Sequence, residues 1–274
     1  MRLGRFSKHV STVLIGATAA LFAGAQLIPG NDEPGPVLKT VTTYVMPEAA
    51  RAHSSVTASA AGTLGSKATA ALEAFASVVS RLSRPEALDD AFHSYFAFKA
   101  AHPDEVKKPY LYFVDYGLPA NEPRGYVFDM NALRIVEGPF TVAHGRGSAA
   151  TKDGVPTSFS NRLGSAATSL GLYLADQTYG FRGKAGGRPY SSIGLRLIGV
   201  SEGFNDNAYV RRVVAHGAPY VTAAKAGRSE GCPAMEPSRA RRLLPKLANG
   251  GLVFLFAPDP KWLAGDPWLS TNAD

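Results

Sequence analysis

Cys232 is the only cysteine in a chain of 274 residues. No internal disulfide can form, so the fold must be held by core packing and hydrogen bonds alone. The constraint matters because the N-terminus reads as an export signal, and exported chains usually pair their cysteines. Arg2, Arg5 and Lys8 precede an uncharged run from Val10 to Ala25, and Ala23-Gly24-Ala25 fits a small-x-small cleavage pattern ahead of Gln26. Cleavage after Ala25 is the expectation. Leu27-Ile28 lengthens the apolar stretch, and retention as a membrane anchor is the alternative. Apolar residues make up 45% of the chain, enough for a sizeable core, which excludes global disorder.

Residues 1–25 carry three of the 29 basic side chains and none of the 22 acidic ones, so without them the formal charge falls from +7 to +4. That balance suits an anionic polymer. It is no nucleic-acid footprint, since no Lys/Arg run with interleaved aromatics accompanies it.

Residues 26–62 are rich in Pro, Gly, Ala, Ser and Thr and read as a flexible linker. Residues 63–105 read as a helical hairpin. Ala68, Leu72, Phe75, Val78, Val79 and Leu82 recur at helical spacing, and Leu88, Ala91, Phe92, Tyr95 and Phe98 continue on a second face. Ser83, with Glu86 three residues on, predicts an N-cap for the second helix. Strands are expected over 110–116, 124–130, 135–137, 140–143, 192–197, 209–214 and 252–256, and a short helix over 238–247. The body, 106–260, is therefore β-dominated, of α+β class and without βαβ alternation. Residues 261–274 are expected as a C-terminal tail.

The lone thiol sits in Gly227-Arg228-Ser229-Glu230-Gly231-Cys232-Pro233, shortly after His216-Gly217. A thiolate is a nucleophile and a thiol is not, so a working cysteine needs a base or cation beside it. His216 ends a strand-like run and Cys232 ends a Gly/Ser loop. The two meet if that loop folds back. Gly231 permits close backbone approach to a substrate. Amides around Gly231 and Cys232 are candidate oxyanion donors, a role Pro233 cannot fill. The bland alternative for Cys232 is a small buried hydrophobe. His144, in a second His-Gly pair, either lines a cleft or is a hydrogen-bonded structural histidine. No HxH or HExxH spacing supports a metal site. Tyr190 and Tyr220 either wall the cleft or pack.

These motifs resemble the signature of the YkuD-like L,D-transpeptidase catalytic family, in its murein branch that reads HGA-x-Y-V…GRSxGCPA. Here the pattern is His216-Gly217-Ala218-Pro219-Tyr220-Val221 and Gly227-Arg228-Ser229-Glu230-Gly231-Cys232-Pro233-Ala234. Shorter matches at 143–148, 159–161, 168–171 and 183–184 extend the resemblance over residues 108–258.

The resemblance implies a β-sandwich with a helix after the cysteine, and a catalytic set of Cys232, His216, Gly217, Ser229 and Gly231. Cys232 would attack the third residue of a peptidoglycan stem tetrapeptide, with His216 as base. A neighbouring stem amine would resolve the acyl-enzyme to a 3→3 cross-link, whereas water would give a carboxypeptidase. His144, Arg228 and Tyr220 are the candidate substrate-binding residues. No metal or organic cofactor is implied, and the expected location is the periplasm or cell envelope. Two positions depart from the wider family. Glu230 stands where many members have histidine, and Ala234 where many have arginine. Arg228 is the candidate to bind a substrate carboxylate in that arginine's place.

Overall fold

A computed structural model describes residues 58–79 and 81–269. The expected signal and most of the expected linker lie outside the described residues. The elements, in chain order, begin with α1 (Ala58–Ala76), α2 (Ala87–Ala101), β1 (Tyr110–Asp115), β2 (Gly125–Asp129), β3 (Arg134–Phe140) and β4 (His144–Gly145). A long hairpin follows, β5 (Gly171–Ala185) and β6 (Arg188–Gly199), and then β7 (Val214–Gly217), β8 (Val221–Thr222), β9 (Lys225–Ala226), β10 (Arg228–Ser229) and β11 (Ala234–Met235). The chain closes with α3 (Pro237–Leu247), β12 (Leu252–Phe256) and α4 (Pro260–Gly265).

The class is α+β, mostly sheet with a few helices, as the residue patterns predict. Eight strands hydrogen-bond continuously in the order β11-β7-β6-β5-β12-β1-β2-β3, and β10-β4 and β8-β9 form two short ribbons. At the centre β12 runs parallel to β1, Leu111 opposite Leu252 and Asp115 opposite Phe256. Every residue of β12 is buried, which is why it reads as an unbroken apolar run, LVFLF, with no alternation.

The hairpin of α1 and α2 covers part of this sheet. Phe75 from α1 and Phe92 from α2 meet Phe128 of β2, with ring centroids 4.6–5.4 Å apart. Aromatic clusters of this kind add about 0.5–1.5 kcal/mol per pair beyond area burial. On the other flank α3 packs against β6 and β7 and buries Ala240, Leu243, Leu244 and Leu247. Its polar side is tied to β3, where Glu137 accepts from Arg239 and from Arg242.

Several expectations change. Helix α1 starts at Ala58, inside the segment read as linker, and ends at Ala76, which leaves Val78 exposed. Ser83 is no N-cap. Its N–H and Oγ both donate to the Asp115 carboxylate, at 2.7 and 2.6 Å, and pin the hairpin joint to the end of β1. The run 209–214 is not a strand. Hydrogen bonds from Ala208 to Asn205, Arg211 to Asn207 and Arg212 to Tyr209 wind it into turns, and the strand begins only at Val214. Of the expected tail, 261–274, the described residues 261–269 pack onto the body, with Trp262 and Leu269 buried in the core. Trp268 Nε1 donates to the Val200 carbonyl at 2.7 Å. The longest strand, β5, has no counterpart among the expected strands.

Candidate active site

Strand pairing brings the Cys232 turn onto the strand that carries His216. β11 lies parallel to β7 with Ala234 opposite His216, so the cysteine turn enters the sheet two residues ahead of the histidine's partner. At about 4.8 Å between strands and 3.3 Å per residue, the two Cα atoms are neighbours on a diagonal. Cys232 is half-buried and reduced. Its thiol donates to the Arg212 carbonyl at 3.9 Å and also receives the Val214 backbone N–H.

His216 is 3% exposed and stacks on Phe181, with centroids 4.1 Å apart. Its Nδ1 faces the Gly217 carbonyl at 3.2 Å, and a carbonyl can only accept. Nδ1 therefore carries the hydrogen and Nε2 keeps the lone pair. Burial lowers the imidazole to about 4, against a smaller upward pull from that carbonyl. Burial likewise pushes the Cys232 thiol up to about 11, with Val214 N–H and Arg211 pulling it down and Glu230 adding to the rise. The resting pair is thus neutral thiol and neutral imidazole.

The turn before Cys232 is braced from inside. Ser229 Oγ donates to the Cys232 carbonyl at 2.7 Å and accepts from the Gly231 N–H at 3.2 Å. The Gly231 amide is therefore committed to Ser229 and is not an open oxyanion donor, which narrows the expectation of amides around Gly231 and Cys232. Among the described residues the Cys232 N–H has no protein acceptor, and it is the donor left for that role. Gly231 has φ +119, a region that side-chain-bearing residues rarely adopt. A Cβ there would also stand 2.7 Å from the Ala167 carbonyl oxygen. Gly217 is buried, and a side chain on it would strike Ser192 and the start of α3.

The three expected substrate-binding residues have different surroundings. Tyr220 is half-buried and meets Tyr190 edge-on at 6.4 Å, and Tyr190 lies 6.1 Å from Phe181, so the three rings form a wall beside His216. Arg228 is exposed on β10 and reaches the Ala149 carbonyl at 3.4 Å. His144 is fully buried and presents no surface to a substrate in this conformation. Its Nδ1 lies 3.1 Å from Arg124 Nη2, and guanidinium only donates, so Nδ1 accepts and the ring is neutral. Burial, with Arg124 and Arg228 adding, lowers it to about 4. Arg124 itself is fully buried and also donates to the carbonyls of Val142 and Leu118. His144 sits on β4 opposite Arg228 of β10, held through Nδ1 by Arg124, while its Nε2 is buried without a hydrogen-bond partner among the described residues. Glu230 points outward and pairs with the exposed Arg146 at 2.8 Å.

The residue that sequence reasoning missed is Arg211. Its guanidinium donates to the Ser160 carbonyl (2.7 Å), Ser169 Oγ (3.1 Å), Ser165 Oγ (3.1 Å) and the Ala167 carbonyl (2.6 Å). No local pattern marks it, because all four partners lie on a loop far away in the sequence. A cavity of about 530 Å³ between α1, α2 and the β2–β3 turn shares no residue with this site. Among the described residues no three His, Cys, Asp or Glu side chains gather as a metal site, and no helix is long and apolar enough to cross a membrane.

Comparison with known proteins adds the following. No curated protein matches the chain. Among solved structures, an L,D-transpeptidase from Mycobacterium smegmatis aligns at 13% identity and TM-score 0.34, covering 54% of this chain and 59% of that one. One from Xylanimonas cellulosilytica aligns at 12% identity and TM-score 0.32, covering 54% of this chain and 61% of that one. One from Stackebrandtia nassauensis aligns at 14% identity and TM-score 0.34, covering 72% and 92%. The chain thus spans less than two thirds of the first of these relatives. The profile of the L,D-transpeptidase catalytic domain family matches residues 80–256, well over half of the chain and inclusive of α2, the cysteine turn and β12. The chain belongs to the L,D-transpeptidase catalytic domain family.

Proposed function

We propose that this chain is an exported cysteine acyltransferase that cross-links peptidoglycan stems through an acyl-enzyme on Cys232, with His216 as proton acceptor. The observation that carries the reading is the β7–β11 register together with the Gly217 carbonyl. The first supports the reading by putting Cys232 two residues ahead of the residue that pairs with His216, and the second by leaving the lone pair on Nε2.

Sγ attacks the carbonyl of the third stem residue, and its proton passes to His216 Nε2. The tetrahedral oxyanion takes the Cys232 N–H, a donor of a kind often worth about 3 kcal/mol. Collapse breaks the C–N bond to the terminal D-alanine, whose amine leaves with the proton from His216. A side-chain amine of a second stem then attacks the thioester, gives its proton to His216, and the amide forms as the thiol is regenerated. Because the resting pair is neutral, the thiol has to give up its proton to become the nucleophile, and His216 Nε2 is the acceptor in this reading. The wall of Phe181, Tyr190 and Tyr220 suits the peptide and sugar faces of a muropeptide. The export assignment rests on the N-terminal pattern of residues 1–25.

The test is intact-protein mass spectrometry of residues 26–274 with disaccharide-tetrapeptide, with and without an acceptor stem. Cys232→Ala is the control. The expected result is a covalent adduct on the parent, absent from the variant, and a dimeric product when acceptor is added. Tripeptide alone would replace transfer by hydrolysis. Binding to sacculi without adduct or product in the parent would make the chain a wall-binding module and overturn the enzymatic reading.

A further inference from the structure

We propose that Arg211 is the positioning residue of this site: it clamps the 160–169 loop onto the Gly231–Cys232 turn and supplies the positive charge against which the thiolate forms. The inference rests on the reading of Cys232 as nucleophile and adds a residue to it.

The geometry comes first. Arg211 spends both terminal nitrogens on one loop, through two backbone carbonyls and two serine hydroxyls. Four donations from a planar fork fix its position as few other side chains allow. That position abuts the nucleophile's turn. A Cβ built on Gly231 would stand 3.5 Å from Arg211 Nη2. The next residue, Arg212, gives its carbonyl to the thiol, and Val214 gives its N–H. The segment 211–214 therefore wraps the sulfur with a cation, an acceptor and a donor. Because all four terminal N–H groups are consumed by the loop, Arg211 is not set up for a bidentate grip on a substrate carboxylate. Its influence on the reaction runs through Cys232.

The charges that face the thiol point the same way. His216 on β7 is neutral, since burial lowers it to about 4. Glu230 is negative and is paired with Arg146. Tyr116 after β1, Tyr173 and Tyr179 on β5, Tyr190 on β6 and Tyr220 all sense the thiolate, and burial raises each of them so that they stay neutral. Among the described residues the cation that lowers the thiol is Arg211, which opposes the larger upward effect of burial. Burial also lowers Arg211 itself, and Tyr173 and Cys232 pull it back up.

The test follows carbamidomethylation of Cys232 by iodoacetamide, read by intact mass. The chain has one cysteine, so the adduct that Cys232→Ala does not form reports this site. The reagent is neutral, so the guanidinium does not attract it. Rates are measured from about pH 7 to 9.5 on the parent, Arg211→Met, Arg211→Gln, Arg211→Lys and Ser165→Ala, because below the midpoint the rate follows the thiolate fraction. The expected result is a roughly tenfold slower reaction in the Met and Gln variants, the equivalent of about one pH unit. Lys should recover most of the rate. Ser165→Ala, which loosens the same loop without touching the charge, should leave the rate within about twofold.

Three results would overturn the proposal. One is an unchanged rate in a folded neutral variant. Another is Ser165→Ala slowing the reaction as much as Arg211→Met, since loop order would then explain the effect. The last is failure of both neutral variants to fold, which would make Arg211 a stability residue. Alkylation needs no peptide. A rate loss in the neutral variants with no acyl-enzyme on stem peptide would uphold Arg211 and sink the proposed function, and the opposite pattern would do the reverse.

Discussion

A side chain at Gly145 would have no room. Its Cβ would lie 2.8 Å from Gly231 Cα and 2.8 Å from Thr168 N, and closer still to the Ala166 carbonyl. These are backbone atoms of the two segments that frame Cys232, and they cannot turn aside as a flexible side chain would. Gly145→Ala is therefore expected to cost about 1–3 kcal/mol. It should also displace the nucleophile enough to lower acyl-enzyme formation about a hundredfold. Chemical denaturation and the adduct assay would check the two effects separately. Ser229→Ala works from the other side of the turn. It removes one donor and one acceptor and orphans the buried Gly231 N–H, so a loss of about 1–3 kcal/mol is expected by denaturation. At this scale the site was partly legible. Cys232, His216, Ser229 and Gly231 sit in two short motifs and could be read locally. The burial of His144 and the clamp by Arg211 could not, because each depends on a partner supplied by another part of the fold.

Among the elements, the β5–β6 hairpin shapes the site most, since it carries both Phe181 and Tyr190 to His216. Its turn is two residues long. Ala185 pairs with Arg188, and between them Gly186 and Gly187 have φ of +57 and +80. A two-residue turn with positive φ at both positions matches the right-handed twist of the strands, and glycine and asparagine adopt it at low cost. Nothing lies within 4 Å of a Cβ at either glycine, so a substitution meets backbone strain alone. Gly187→Asn is expected to change stability by less than about 0.5 kcal/mol, and Gly187→Val to lose about 1–2 kcal/mol, measured by urea denaturation. The Gly-Gly pair was a readable hairpin signal. What hid β5 was its body: Gly180 and Gly183 interrupt the pattern, and its outer half is only half-buried on one face and exposed on the other. Strands β1 and β12 were legible because full burial makes them unbroken apolar runs. Helix α3 was legible because one face alone is apolar.

For the whole molecule, acid is the expected weakness. His144 and His216 titrate near 4 when folded, against an ordinary value of 6.5. Between those values the unfolded chain binds more protons than the folded one. Stability is therefore full above about pH 6.5 and is lost as pH falls towards 4. Burial raises Asp115 and Asp266, which bind protons more readily when folded and offset part of the loss at the acid end. Comparing the parent with His144→Asn cancels that contribution. The variant keeps an acceptor for Arg124 and has no imidazole to protonate, so its stability should fall less between pH 6.5 and 4, by up to about 3 kcal/mol. Urea denaturation at several pH values reads this directly, and parallel curves would refute it.

The sequence by itself determined the class, the strand-forming core, the helix after the cysteine and the two motifs that hold a thiol and an imidazole. Those are local properties, set by the spacing of apolar residues and by the chemistry of neighbouring side chains. Only the tertiary structure decided which of these groups meet. The β7–β11 register brings the Cys232 turn onto the strand that carries His216, and the Gly217 carbonyl fixes the tautomer. Burial keeps thiol and imidazole neutral, and Arg211 ties the distant 160–169 loop down beside the Gly231 turn. The reason is physical: desolvation and long-range hydrogen bonds depend on what surrounds a group, and the surroundings are supplied by residues far away in the chain.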